Sequence, residues 1–220
     1  MSGQRNCMAS QLVLLDVIPL SLGIEVVGKV MATVVKRNTS IPVRKSDEFT
    51  TESDYSESID VVIFEGERTC TDGNNKLGEF TISGIQRAKR GVPKIEVTFN
   101  VDANGILTVT AKDKVTGAAN EITIVAKGRN SKADVERMLA EAEQFKKQDE
   151  EFKKRAESKN ALESLISQML DIAQATSNES LEEAAKDTRK WLEEHEDDKT
   201  IEAELFDKKA RWLERKLEKA

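Results

Sequence analysis

Between residues 95 and 101 the chain alternates strictly, with Ile95, Val97, Phe99 and Val101 apolar and Glu96, Thr98 and Asn100 polar. A period of two puts each set on its own face of a strand, so this segment predicts a strand with one face in a core and the other in water. Further strand-like runs, with less strict alternation, occur at Ile24 to Lys36, Glu48 to Glu52, Ile59 to Glu65, Glu79 to Ile82, Ile106 to Lys112 and Glu121 to Val125. Asp72-Gly73-Asn74-Asn75, Asp102-Ala103-Asn104-Gly105 and Thr116-Gly117 punctuate them, and these residue types tolerate positive φ and tight turns. Short strands at this spacing predict an antiparallel β-sandwich.

After Ser131 the period changes. Ser131 followed by Asp134 has the form of a helix N-terminus, and apolar residues then fall at 135, 138, 139, 142, 145, 152 and 156, a helical spacing. Asp149 stands where that stripe calls for an apolar residue, so either the buried face changes there or a cation waits opposite. The stripe resumes at Leu162, Leu165, Ile166, Met169 and Leu170. Ser180 with Glu183 predicts a second capping box, leading into Leu181, Ala184, Ala185, Trp191 and Leu192. A last helix is predicted from about Thr200 through Leu205, Leu213 and Leu217. The fold class read from this pattern is α+β, a sandwich followed by a helical bundle.

Composition sharpens the division. All 11 glycines and all 3 prolines lie at or before Gly128, and the segment from Ser131 onward carries the whole net charge of −6. That charge leaves no basic stripe for nucleic acid, because clusters such as Lys153-Lys154-Arg155 are interleaved with acids. Cys7 and Cys70 offer neither a metal-ligand spacing nor a disulfide framework. The apolar run at residues 14–30 is broken by Asp16, Pro19, Glu25 and Lys29, which argues against a membrane span, and no secretory signal is visible. Gly23, Gly28 and Lys29 match most of a phosphate-binding loop, but Val30 replaces its hydroxyl residue and the flanking valines favour strands. The single histidine, His195, lies in a charged stretch and reads as a solvated residue rather than a catalytic base.

Several long motifs, in order, resemble the substrate-binding half of the 70-kDa heat-shock chaperones, the DnaK-type family. They are Leu14-Leu15-Asp16-Val17, Pro19-Leu-Ser-Leu-Gly-Ile-Glu25, Asn38-Thr-x-Ile-Pro42, Gly66-Glu-Arg68, Arg90-Gly-x-Pro-x-Ile-Glu-Val-Thr-Phe99 and Asp102-Ala-Asn-Gly-Ile106. The resemblance is strong over about residues 12–175 and looser through Trp191-Leu192-Glu193; the first eleven residues show none.

The resemblance implies a sandwich that binds extended apolar peptide segments of unfolded proteins under a helical lid. By it, residues 1–17 are an extension ending in a linker (Leu14, Leu15, Asp16), 18–127 the sandwich and 128–220 the lid. Ile24, Val26, Val27, Val30, Phe49, Thr50, Ile59, Val61 and Ile95 line the slot, and Val27 and Glu52 arch over it. Arg90 faces Asp54 and Glu163 as a latch, and Arg68 faces Asp149. J-domain cochaperones and self-association through linker or lid follow as expected partners, with no nucleic acid or membrane and a cytoplasmic location. Because only eleven residues precede Leu12, the chain is expected to lack the family's ATPase domain, to bind neither ATP nor magnesium, and not to be an enzyme. The competing expectation is a scaffold that docks partners through its helices.

Overall fold

The computed structural model describes residues 16–125, 131–195 and 201–218. The strands are β1 (Leu22–Val26), β2 (Val30–Val35), β3 (Val43–Phe49), β4 (Ser58–Glu65), β5 (Asn75–Ser83), β6 (Ile95–Val101), β7 (Leu107–Asp113) and β8 (Ala119–Ile124). They form two four-stranded antiparallel sheets in the orders β2-β1-β4-β5 and β3-β6-β7-β8. The helices are α1 (Lys132–Thr176), α2 (Glu179–Glu194) and α3 (Ala203–Leu217), so the chain is α+β.

The two sheets bury one shared core. Ile24, Val35, Val61, Ile63 and Ile82 of the first meet Ile95, Val97, Phe99, Leu107 and Val109 of the second. Each such side chain taken from water contributes about 1.5–3 kcal/mol. In β6 the apolar face is buried as expected, but of the polar face only Asn100 is exposed: Glu96 is half-buried and Thr98 is buried, its hydroxyl paired with that of Ser46 on β3 at 2.8 Å. Asp102 closes the β6–β7 turn by accepting from the backbone N–H groups of Asn104 and Ile106 at 2.8 Å each.

The segment Ile24 to Lys36, expected as one strand, is a hairpin of β1 and β2, with Val26 opposite Val30. Gly28 (φ 83°) and Lys29 (φ 58°) supply its turn; two consecutive positive-φ residues match the strand twist, and the valines on either side conceal the break. Gly23 cannot be replaced without moving β2, because a Cβ there would lie 2.2 Å from the Ala32 carbonyl oxygen. Strand β3 begins at Val43 rather than Glu48: its polar residues stand at a sheet edge, and pairing with β6 rather than burial makes it a strand.

Ser131 and Asp134 form the expected capping box at the start of α1. The second cap is Asn178, whose side chain accepts from the Leu181 N–H at 3.3 Å, so α2 starts before Ser180. Asn is as good a cap as Ser and comes first along the chain.

Helix α1 spans about 68 Å at 1.5 Å per residue and serves two surroundings. Toward its start, Met138, Asp149 and Ala156 are buried, with Met138 against Asn75 and Ala156 over the Gly28 turn. Further on, Leu162, Ile166, Met169 and Ala173 join Leu181, Ala185 and Leu192 of α2 and Phe206 and Leu213 of α3 in a second core.

Candidate functional site

Two stapled loops adjoin strand ends that carry half-buried apolar side chains, Val26 before the first loop and Phe49 and Ile59 on either side of the second. The Val27–Lys29 turn is tied to the segment between β4 and β5. Thr71 N–H donates to the Lys29 carbonyl at 2.9 Å, Met31 N–H to the Thr69 carbonyl at 2.8 Å, and the Thr71 hydroxyl to Glu25 at 2.5 Å. The loop after β3 is tied to the loop between β5 and β6: Tyr55 N–H donates to the Ala88 carbonyl (2.7 Å), Gly91 N–H to Thr51 (3.2 Å) and Gly84 N–H to Glu57 (2.9 Å).

Of the residues expected to line the slot, Ile24, Val61 and Ile95 belong to the shared core, and Val26, Phe49 and Ile59 pack half-buried against it. Val30 is half-buried, while Val27, Thr50 and Glu52 are exposed on the two loops. Asp16 is anchored by its carbonyl, which accepts from Ile41 N–H at 2.9 Å; Leu14 and Leu15 lie outside the described residues.

Helix α1 crosses between these loops and is held at both ends of the crossing. At the inner end the cation opposite Asp149 is Arg68, whose Nε and Nη2 donate to the two carboxylate oxygens at 2.7 and 2.9 Å. Thr69 N–H adds a third bond at 3.1 Å, and the Phe145 ring lies 4.4 Å beneath the guanidinium. Its bonds to Asp149 hold Arg68 above its already high range, against the opposing effect of burial. This bidentate geometry is the strong form of a charged hydrogen bond.

The outer end departs from the expected latch. Asp54 accepts from the Arg90 backbone N–H at 2.9 Å rather than from its guanidinium, so it shapes the loop and leaves the side chain free to reach α1. Arg90 Nη1 lies 4.0 Å from Glu163, while Nη2 donates to Ser164 Oγ at 2.9 Å. Glu163 is also shared with Lys159 at 3.9 Å. Beyond them Lys89 meets Asp171 at 2.5 Å. Sequence reading missed Ser164, Lys89 and Asp171. Their signal was faint: Glu163 and Asp171 follow Asp149 by about four and about six helical turns, which places all three acids near one stripe of α1.

The family model described as Hsp70 protein matches residues 2–220. A heat shock 70 kDa protein of Penicillium citrinum is 53% identical over 156 residues, covering 70% of this chain and 31% of the relative. Heat shock cognate 70 kDa protein 3 of Dictyostelium discoideum is 42% identical over 224 residues, 97% of this chain and 35% of the relative. A heat shock 70 kDa protein of Neurospora crassa is 47% identical, over 85% of this chain and 30% of the relative. The chain belongs to the Hsp70 family. It spans about a third of the length of the curated relatives it matches.

Membership of the Hsp70 family over residues 2–220 corrects three expectations. The resemblance was assigned to a substrate-binding half standing without a nucleotide-binding domain and was denied to the first eleven residues; the match is to the family undivided and includes residues 2–11. The expectations of no enzyme, and of no ATP or magnesium, rested on a domain missing ahead of Leu12. They are withdrawn, because an Hsp70-family chain aligned with a third of its relatives carries no such exclusion.

The ATP and magnesium that Hsp70 membership implies have one sequence motif here to be tested against them. Gly23, Gly28 and Lys29 lie in the β1–β2 hairpin, with no helix following, and Lys29 Nζ meets Asp72 at 3.3 Å. A phosphate cradle needs a glycine loop that opens a helix, so these residues do not fit a triphosphate and no step is routed through one. Among the described residues no group of three or more His, Cys, Asp or Glu could hold a metal ion, and no helix is long and apolar enough to cross a membrane. His195 stacks on Trp191 at 4.8 Å between ring centroids and bonds its carbonyl at 2.8 Å, a structural role.

Proposed function

We propose that this Hsp70-family protein binds extended apolar segments of unfolded proteins in a slot of its β-sandwich, with α1 and the helices after it as the lid. The observation that carries this reading is that Val26, Phe49 and Ile59 stay half-buried at the bases of two stapled loops, and that α1 is bonded to both loop pairs through Asp149 and Ser164. A sealed core needs no such loops. An extended client offers main-chain groups at regular spacing, and a narrow apolar slot rewards Leu- or Ile-like side chains by removing them from water.

In this reading residues 18–127 form the binding unit and 128–220 the lid, and Ile24, Val61 and Ile95 support the floor from the core beneath. Val27 and Glu52, exposed on opposite loops, arch over the client. Arg68–Asp149 and the Arg90 cluster hold the lid closed. J-domain cochaperones as partners, self-association through linker or lid, and a cytoplasmic location belong to the same proposal.

Fluorescence anisotropy with a labelled Leu-centred heptapeptide tests it. Binding in the micromolar range is expected, with Ile59→Phe, which fills the slot, abolishing it at unchanged circular dichroism. A wild-type chain that fails to bind would overturn the reading and favour a scaffold acting through its helices.

A further inference from the structure

Among the described residues, the ion pair farthest along α1 joins it to a loop that the outer latch only partly uses. Lys89 Nζ and Asp171 Oδ1 are 2.5 Å apart, whereas Arg90 and Glu163 are 4.0 Å apart. Asp171 lies 22 residues beyond Asp149, about 33 Å along the helix axis. We infer that Lys89 and Asp171 are positioning residues forming a second outer latch that sets how long a bound peptide stays; the inference rests on the peptide-binding reading above.

Three observations separate this pair from an ordinary surface pair. Its lysine is presented from a fixed base, because the flanking residues are tied down: the Ala88 carbonyl accepts from Tyr55, Arg90 N–H donates to Asp54, and Val92 N–H donates to the Lys89 carbonyl at 3.1 Å. Less freedom is therefore lost when the pair forms than for a lysine on a mobile loop. Its aspartate sits where α1 is fixed to the other helices, between buried Met169 and Ala173. Pulling on Asp171 thus pulls on the whole bundle. Finally, the pair acts at the far end of a lever whose near end is the Arg68–Asp149 contact, so it resists rotation about that contact more effectively than an equal bond closer in. The bond to Asp171 holds the Lys89 ammonium above its usual range despite some loss of hydration, with Asp54 and Tyr55 adding to the attraction.

Both side chains are about half exposed, at 49% and 50%, so the effect is modest and sensitive to salt. Stopped-flow release of a pre-bound, labelled Leu-centred heptapeptide is the test. Lys89→Ala and Asp171→Ala are each expected to speed release roughly two- to fivefold, as for a partly exposed pair. The double variant should be no faster than either single one, and the exchange K89D with D171K should restore the wild-type rate. Interspin distances between labels at Glu121→Cys and Gln174→Cys, with Cys7 and Cys70 replaced by Ser and no peptide present, read the lid directly. They should broaden in Asp171→Ala. Broadening without any peptide binding would keep the latch and overturn the peptide-binding reading. Wild-type release rates with unchanged distances in both single variants would overturn the latch.

Discussion

The two ends of the α1 crossing use the same elements, an arginine on a loop and an acid on a helix, and give different contacts. At the inner end the Asp149 side chain is 9% exposed, meets Arg68 with both oxygens and takes a backbone N–H as well. At the outer end Glu163 is 28% exposed and is divided between two cations at 3.9 and 4.0 Å. Charge complementarity alone therefore does not rank two such contacts. Burial, and the number of bonds that satisfy each carboxylate, decide which contact fixes the helix and which only biases it.

Breaking the inner end should have the largest effect. Asp149→Ala leaves the Arg68 charge half-buried against Phe145, and removing one partner of a buried pair costs on the order of 3 kcal/mol. Urea denaturation should show that loss, and hydrogen exchange should show residues 66–74 opening. An unchanged midpoint would place the two ends on an equal footing.

Next in size is Asp113, which supports the base of the outer loops. It is fully buried and accepts from the N–H groups of Gln86, Val115 and Thr116 at 2.7, 2.6 and 3.0 Å. Burial pushes its carboxyl up, but these donors outweigh it and hold the group below the usual carboxylate range. A depressed folded value means the stabilisation is fully present above the unfolded value of about 3.9 and is lost as pH falls through the folded one. Asp113→Asn should cost about 1–3 kcal/mol at neutral pH by disturbing these bonds, and should flatten the fall in stability below about pH 4. Parallel acid-denaturation curves for variant and wild type would contradict this.

Smaller effects sharpen the outer end. Arg90→Ala should speed peptide release a few fold, and Ser164→Ala should reproduce more of that change than Glu163→Ala, because Arg90 bonds the serine at 2.9 Å and only approaches the acid. The reverse order would restore Glu163 as the principal latch. Smallest of all, raising salt from low to high should speed release by less than about threefold through the exposed outer pairs, and Arg90→Ala should be less responsive. Stopped flow in a salt series measures both.

The same contrast explains what was legible in the sequence. The two sheets could be read from the β6 alternation and the Asp102–Gly105 turn, and α1 from Ser131 and Asp134. Asp149, an acid in an apolar stripe, left open either a change of buried face or a cation opposite, and the bond to Arg68 decides for the cation, in keeping with the cost of burying an unpaired charge. The β1–β2 turn was hidden because valines flank a two-residue reversal that only Gly28 marks. Ser164, Lys89 and Asp171 were barely legible for a different reason. On a highly charged helix and its facing loop, exposed polar residues offer at most a shared stripe, which names no partner until the fold brings the two together.

Where the client sits is read by photo-crosslinking. A Leu-centred heptapeptide with a benzophenone side chain at its centre should label Val26, Val27, the Phe49–Glu52 segment and Ile59, and an unlabelled copy of the peptide should compete the signal away. Competable crosslinks confined to α2 and α3, with none in these β-strands and loops, would contradict the account.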